Sequence, residues 1–254
     1  MIRVHLGVDG AAARKSARLW KTEIVSLGVV RTVSVGMPQE REWAGIGRTS
    51  IEKSSVTDPV HARRLGLEGD QVSDTVHHGG VDQAVYAFSR RELDWWEREL
   101  GRPIRDGQFG ENLTIEVSGG NPDLDDAEIG ERWRIGEALF EVAYVRIPCN
   151  DFKNWQRVNG YDDAAWVKRF TEHGRVGPYL RVLDEGALQA GDEVEVVHRP
   201  GHGITVETMF KAMTTERDLL PDLLVVDGLA ERARVAAEAY LASVPRIATN
   251  GWAR

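Results

Sequence analysis

Short β-branched and aromatic runs, broken by turn residues, recur from Gly28 to His198, and this rhythm constrains the fold more than any other feature of the chain. "GVVRTVSVGM" (28–37), "AVYAF" (84–88) and "ENLTIEV" (111–117) read as strands. "ERWRIGEALFEVAYV" (131–145) reads as two strands around a tight turn at Gly136-Glu137. "PYLRVL" (178–183) and "DEVEVV" (192–197) give two more around the turn "DEGALQAGD". Helical signals are fewer. "SRRELDWWEREL" (89–100) places Leu93, Trp96 and Leu100 on one face and is stopped by Gly101 and Pro103. "DPVHARRLG" (58–66) offers Asp58 as an N-cap and Pro59 at the first helical position, and residues 161–173 have a helical pattern. Many short strands with few helices between them predict a barrel or sandwich rather than a doubly wound parallel sheet.

The character changes after "HRPGHG" (198–203). Val206, Met209, Phe210 and Met213 recur at helical spacing, as do Leu229, Ala233, Ala236, Ala237, Tyr240 and Leu241, with Pro221 between the two stretches. The reading is a mainly β domain over 28–199 with peripheral helices, then a small all-α domain of about three helices over 200–248. Residues 1–27 read as a loose extension. Arg3, Arg14, Lys15, Arg18 and Lys21 imitate the basic start of a signal peptide, but Lys21, Glu23 and Ser26 break up the apolar stretch that should follow.

At 254 residues and 42% hydrophobic, the chain can build one sizeable core. A net charge of −8 argues against a general nucleic-acid surface, so any anionic ligand must meet a local cluster of cations. A single cysteine forms no internal disulfide and favours a reducing, cytoplasmic setting. It cannot build a thiolate-rich zinc site by itself. No apolar run approaches the roughly 18 residues that span a bilayer.

That cysteine, Cys149 in "VRIPCNDF" (145–152), follows a strand, with Arg146 three residues before it and Pro148 stiffening its approach. Inert burial, nucleophile and ligand are the three readings open to it. A protease triad has no matching His–acid pair. In "VHHGGVDQAV" (76–85) two adjacent histidines on a strand would point to opposite faces, an arrangement in which His77 and His78 rarely share one metal. Gly79-Gly80 lets the backbone approach a ligand, and either histidine can bond an anion there. "FGENL" (109–113) places Asn112 just before a strand, and "IEKSSV" (51–56) sets Lys53 beside Ser54, a cation with a hydroxyl. Each of these is explained equally well as a polar turn or solvated loop when taken alone.

Taken in order, "SIEKSSV", "GLEGDQVSDTVHHGGVDQAVYAF", "FGENLTI", "IGERWRIGEALFEVAYVRIPC" and "GRVGPYLRVLDEGALQAGDEVEVV" closely resemble the MOSC domain, named after the C-terminal part of molybdenum cofactor sulfurase. The resemblance runs from about residue 29 to 198, and the tail looks like the three-helix domain of the YiiM-like branch. It implies a β-barrel-like domain with Cys149 as metal ligand to the molybdenum of a molybdopterin cofactor, and basic and hydroxyl side chains for the cofactor's phosphate. Lys53 and Ser54 match a cofactor-contacting pair in related amidoxime-reducing proteins. His77, His78, Asn112 and Arg146 fall in blocks that line the presumed site. The implied activity is reduction of N-hydroxylated compounds, hydroxylaminopurines or amidoximes, with Asp151 or a histidine as general acid. One departure is "CNDFKNW", where such chains commonly continue with an aromatic and a basic residue. Asn150 and Asp151 change the polarity beside the metal and leave the substrate open.

A soft thiolate suits a high-valent molybdenum already held by dithiolene sulfurs, and the cofactor carries the redox step. No G-x-G-x-x-G follows a strand, so reducing equivalents come from a separate electron-donor protein. Two other readings stand beside the reductase: a sulfur carrier with a persulfide on Cys149, and a non-catalytic carrier of the molybdenum cofactor. The apolar face of the C-terminal helices packs on the barrel or takes a partner, and homodimerisation is left open.

Overall fold

A computed structural model describes residues 25–244. Along the chain, β1 (Val25–Val35) is followed by the small ribbon β2 (Gln39–Glu40) and β3 (Arg48–Thr49), then β4 (Ser54–Val56), β5 (Val60–Arg63) and β6 (Gly66–Leu67). Next come β7 (Val85–Ser89), α1 (Arg90–Leu100) and β8 (Leu113–Val117), then the hairpin β9 (Arg132–Ile135) and β10 (Ala138–Val145). Helices α2 (Asn150–Val158) and α3 (Trp166–His173) precede β11 (Pro178–Asp184), β12 (Gly186–Leu188) and β13 (Glu193–His198). The chain then runs through α4 (Val206–Met213), a 3₁₀ stretch at Arg217–Val225, and α5 (Glu231–Ser243).

Seven strands close into a barrel in the order β13-β9-β10-β11-β7-β8-β1, with β1 returning to β13 and β4 extending β1 at one edge. Closure removes the exposed edges of an open sheet. Strand β1 achieves it by serving three neighbours in turn: β13 through Val25–Val29, β8 through Gly28–Val33 and β4 through Val33–Val35, with register shifts at Ser26/Gly28 and Val30/Thr32. Gly28 is required at the crossing, where a Cβ would stand 2.2 Å from the Glu116 carbonyl oxygen. Only β7 and β8 run parallel, because α1 carries the chain back across the barrel between them. All five residues of β7 are buried, as expected of a strand covered on both faces.

The Ser89 hydroxyl caps α1 by accepting the Glu92 amide, and Gly101 ends the helix in the left-handed region. Leu93 and Trp96 are fully buried beneath it, and Trp96 joins Phe109, Phe152, Trp166 and Phe170 in one aromatic cluster that ties α1, α2 and α3 together.

Several sequence expectations change. Residues 58–66 are not helical: Val60 and Ala62 are buried while His61 and Arg63 are not, a period of two, and β5 pairs with β6 and with β12 inside the expected "DEGALQAGD" turn. The helix of 161–173 begins only at Trp166, after Ala165 at φ 51. Helix α2 falls where no element was expected, and it buries Phe152, Trp155 and Gln156 at helical spacing. Of the loose extension expected over 1–27, Val25, Ser26 and Leu27 belong instead to β1, where Val25 and Ser26 pair with β13 and Leu27 is buried, and residues 1–24 lie outside the described residues. Val206, Met209 and Phe210 of α4 are buried in the same continuous core as β10 and β7.

Candidate functional site

One end of the barrel opens into a cleft of about 720 Å³, counted out to its open mouth. Its walls come from the β3–β4 segment, the loops before β7 and β8, and the turn between β10 and α2. Of the residues expected from sequence, Lys53, His78, Asn112, Arg146, Cys149 and Asp151 line this cleft. Ser54 opens β4 with an exposed side chain and is not among the lining residues. His77 is exposed as well, its Nδ1 held 2.8 Å from Asp74. The two histidines sit in a turn rather than on a strand, and of the two His78 alone is among the residues lining the cleft.

Arg146 dominates the electrostatics. It is 7% exposed, and its Nη1 donates to the Tyr179 hydroxyl at 3.0 Å. Its Nε has no partner, and no carboxylate among the described residues pairs with it. The guanidinium lies 5.6 Å over the Tyr86 ring and 5.0 Å over Phe152. Cation–π contacts of this kind return about 0.5–2 kcal/mol each. An unpaired buried charge costs several kcal/mol, so the fold carries a cation it does not neutralise. Burial opposes the charge, but the side chains of Tyr179, Cys149 and Tyr86 keep Arg146 above the ordinary arginine range.

Lys53 is different. Its Nζ is hydrogen-bonded to Asp70, which also accepts from the Gly36 amide at 2.7 Å and from Asn112 Nδ2 at 3.0 Å. Burial pushes the Lys53 ammonium down against the pull of Asp70. Asn112 is wholly occupied: its Oδ1 accepts the Tyr86 amide and its Nδ2 also donates to the Ser34 carbonyl. Lys53, Asp70 and Asn112 thus form a self-satisfied wall that braces the cleft. Behind it, Glu111 accepts from the Gly107 and Phe109 amides and the Thr114 hydroxyl, with burial lifting its carboxyl to about 7.

Cys149 is the N-cap residue of α2 and is half-buried. Its sulfur stands where a helix dipole presents its positive end, within Coulombic reach of Arg146. Asp151, in the first turn of α2, accepts the Gly45 amide at 2.8 Å. Asn154 donates to the Trp43 carbonyl and Trp155 stacks on Trp43, so α2 carries the β2–β3 ribbon on its flank. His78 lies across the cleft, its pKa lowered to about 4 by burial and by the Arg146 charge. Gly79 beside it has φ 76, and a Cβ there would press on Val72 at 3.1 Å, so the loop needs glycine to hold this approach.

Sequence reasoning missed several lining residues. Gln83 is buried with its Oε1 unpartnered, and Arg48 stands in the wall without an ion pair among the described residues. Tyr179 holds Arg146, and Ser50 and Ser73 bond each other at 2.6 Å. Among the described residues no group of three or more His, Cys, Asp or Glu side chains is arranged around a metal. A metal held at Cys149 would bring its other ligands with it.

The closed barrel thus sets its thiol and an uncompensated guanidinium in one cleft. The family model of the MOSC domain matches residues 74–195. YflK of Bacillus subtilis is 32% identical over 179 residues, 70% of this chain and 77% of its own length. YiiM of Escherichia coli is 29% identical over 157 residues, 59% of this chain and 65% of its own. The crystal structure of YiiM from Geobacillus stearothermophilus superposes with a TM-score of 0.67 at 24% identity, covering 84% of this chain and 98% of that one. The chain belongs to the MOSC domain family, on its YiiM-like branch.

Proposed function

We propose that this protein binds a molybdenum cofactor in the cleft, with the Cys149 thiolate as a ligand of the metal, and reduces N–O bonds of N-hydroxylated substrates. The observation that carries the reading is Arg146: a buried guanidinium with no carboxylate, three residues from the only thiol, facing the same cleft. The donor set fits the group. Arg146 Nε and Gln83 Oε1 are a buried donor and acceptor left open for a ligand bearing both anionic and heterocyclic atoms.

Arg146 and Arg48 would hold the anionic parts, Gln83 and neutral His78 would orient polar atoms, and Cys149 would supply the soft donor. When bound, the cofactor supplies the two-electron chemistry of oxygen removal. The chain's own residues orient the cofactor, exclude water from the inner cleft and shape the mouth that admits substrate. Electrons come from a separate donor protein.

Elemental analysis for molybdenum, with fluorescence of the released and oxidised pterin, tests this on protein from a host that makes the cofactor. Wild type is expected to hold near-stoichiometric metal and pterin, and Cys149→Ser to lose the metal. Absence of both from wild type sinks the reading, and a sulfur adduct on Cys149 by mass would then favour sulfur transfer. Pterin and metal retained without turnover of any N-hydroxylated compound would point to a carrier.

A further inference from the structure

The loop that forms one wall of the cleft is gripped by a helix far along the chain. Residues 74–83 contribute Asp74, His78, Gly79 and Gln83 to the lining. Near its start, Arg232 of α5 donates from Nη1 to the His77 carbonyl at 2.5 Å and from Nη2 to the Val76 carbonyl at 2.9 Å. At its end, Asp82 accepts from Arg181 of β11 at 2.5 and 3.0 Å, while its other oxygen accepts the Glu231 amide at 3.4 Å. Arg181 also reaches the Gly228 carbonyl, so α5 and the turn before it are tied to the same anchor.

Neither Arg232 nor Asp82 lines the cleft, yet both bracket the segment that does. A turn containing two glycines at φ 76 and 83 has more backbone freedom to lose than most, so each bond that holds it counts. Two carbonyls captured by one planar guanidinium orient the peptide units on either side of His77, and hence the ring of His78 that follows. Inside the loop, the Asp74 carboxylate accepts the His77 amide and the Asp74 carbonyl accepts the His78 amide, so the same two peptide groups are held from both sides.

We propose that Arg232 is a positioning residue for the ligand cleft: by clasping the Val76 and His77 carbonyls it sets the His78–Gly79 wall, which makes the C-terminal helices part of the site's construction. The proposal rests on the reading of the cleft as an anion site.

The test compares full-length wild type with Arg232→Ala and Arg232→Lys. Hydrogen exchange of the 76–80 amides is followed by mass spectrometry, and sulfate is titrated while the His78 ring proton is observed by NMR. Loss of two charge-assisted hydrogen bonds from an exposed arginine is expected to speed exchange in 76–80 by about five- to tenfold and leave the barrel strands unchanged. The sulfate midpoint is expected to rise about three- to tenfold, with lysine, which can reach one carbonyl, in between. Unchanged loop exchange, an unchanged midpoint, or acceleration spread evenly over the barrel would each overturn the clasp. If wild-type His78 ignores sulfate, the anion reading fails on its own account. Loop exchange then decides the clasp, faster supporting it and unchanged rejecting it.

Discussion

Arg146 carries a conflict between stability and ligand recognition that a single substitution can expose. Removing a buried, unpaired guanidinium takes away a desolvation cost, while the rings of Tyr86 and Phe152 remain to pack against an apolar chain. Arg146→Met is therefore expected to unfold at or above the wild-type temperature and to lose anion binding by tenfold or more. His78 reports the same charge. In wild type its depressed pKa of about 4 should rise when sulfate neutralises Arg146, so binding takes up a proton. Sulfate affinity then strengthens as pH falls from neutral and levels off below about 4, where the ring is charged in both states. In Arg146→Met the His78 pKa should rise part of the way, since burial is the larger cause of its depression and remains, and should stop responding to sulfate. A variant that is strongly destabilised, or a His78 titration indifferent to sulfate in wild type, would show that Arg146 is a structural cation. The thiol and this guanidinium were legible from the chain because they share one eight-residue run. Arg48 and Gln83 were not, because one sits in the short strand β3 and the other in the turn before β7, and only closure of the barrel brings them to one cleft.

Among the elements, those with strong local signals formed where the sequence predicts. Helix α1 has a capping serine, a terminating glycine and two large apolar residues at helical spacing. Residues 58–66 carry a helix-like opening in Asp58-Pro59, but long-range pairing of β5 with β12 overrides it. Helix α2 carries the site and yet gave little warning, since its buried face consists of Phe152, Trp155 and Gln156 among polar neighbours. That helix also recasts Asp151. Its carboxylate accepts the Gly45 amide, which latches the β2–β3 ribbon beside Cys149. Asparagine keeps that acceptor and cannot exchange a proton in the same way; alanine loses both. If Asp151 is a latch, Asp151→Asn retains cofactor and turns over within a few-fold of wild type. Asp151→Ala would then lose about 1 kcal/mol of stability, the usual worth of one such bond, together with part of its ligand affinity. A collapse of turnover in Asp151→Asn with binding intact would instead make Asp151 the general acid.

Over the whole molecule, the change of composition near residue 200 and the boundaries of folding are separate questions. Val206 donates its amide to the Ala127 carbonyl, Ile129 donates to Ile204, and Val206, Met209 and Phe210 are buried in the core that also holds β10. Burying those three side chains is worth about 1.5–3 kcal/mol each, roughly 5–9 in sum. Whole domains are stable by only about 5–15 kcal/mol, so the barrel has little margin without them. The C-terminal helices were legible as helices from their apolar spacing, but spacing alone does not say which surface that face covers. A chain ending at Gly203 is accordingly expected to aggregate or bind a hydrophobic dye, and the full chain to unfold in a single calorimetric transition with matching calorimetric and van't Hoff enthalpies. Two resolved transitions, or a soluble truncated barrel with native-like amide dispersion, would make residues 204–244 an independent module. The grip of Arg232 on the cleft wall would then be a contact between domains rather than part of one core.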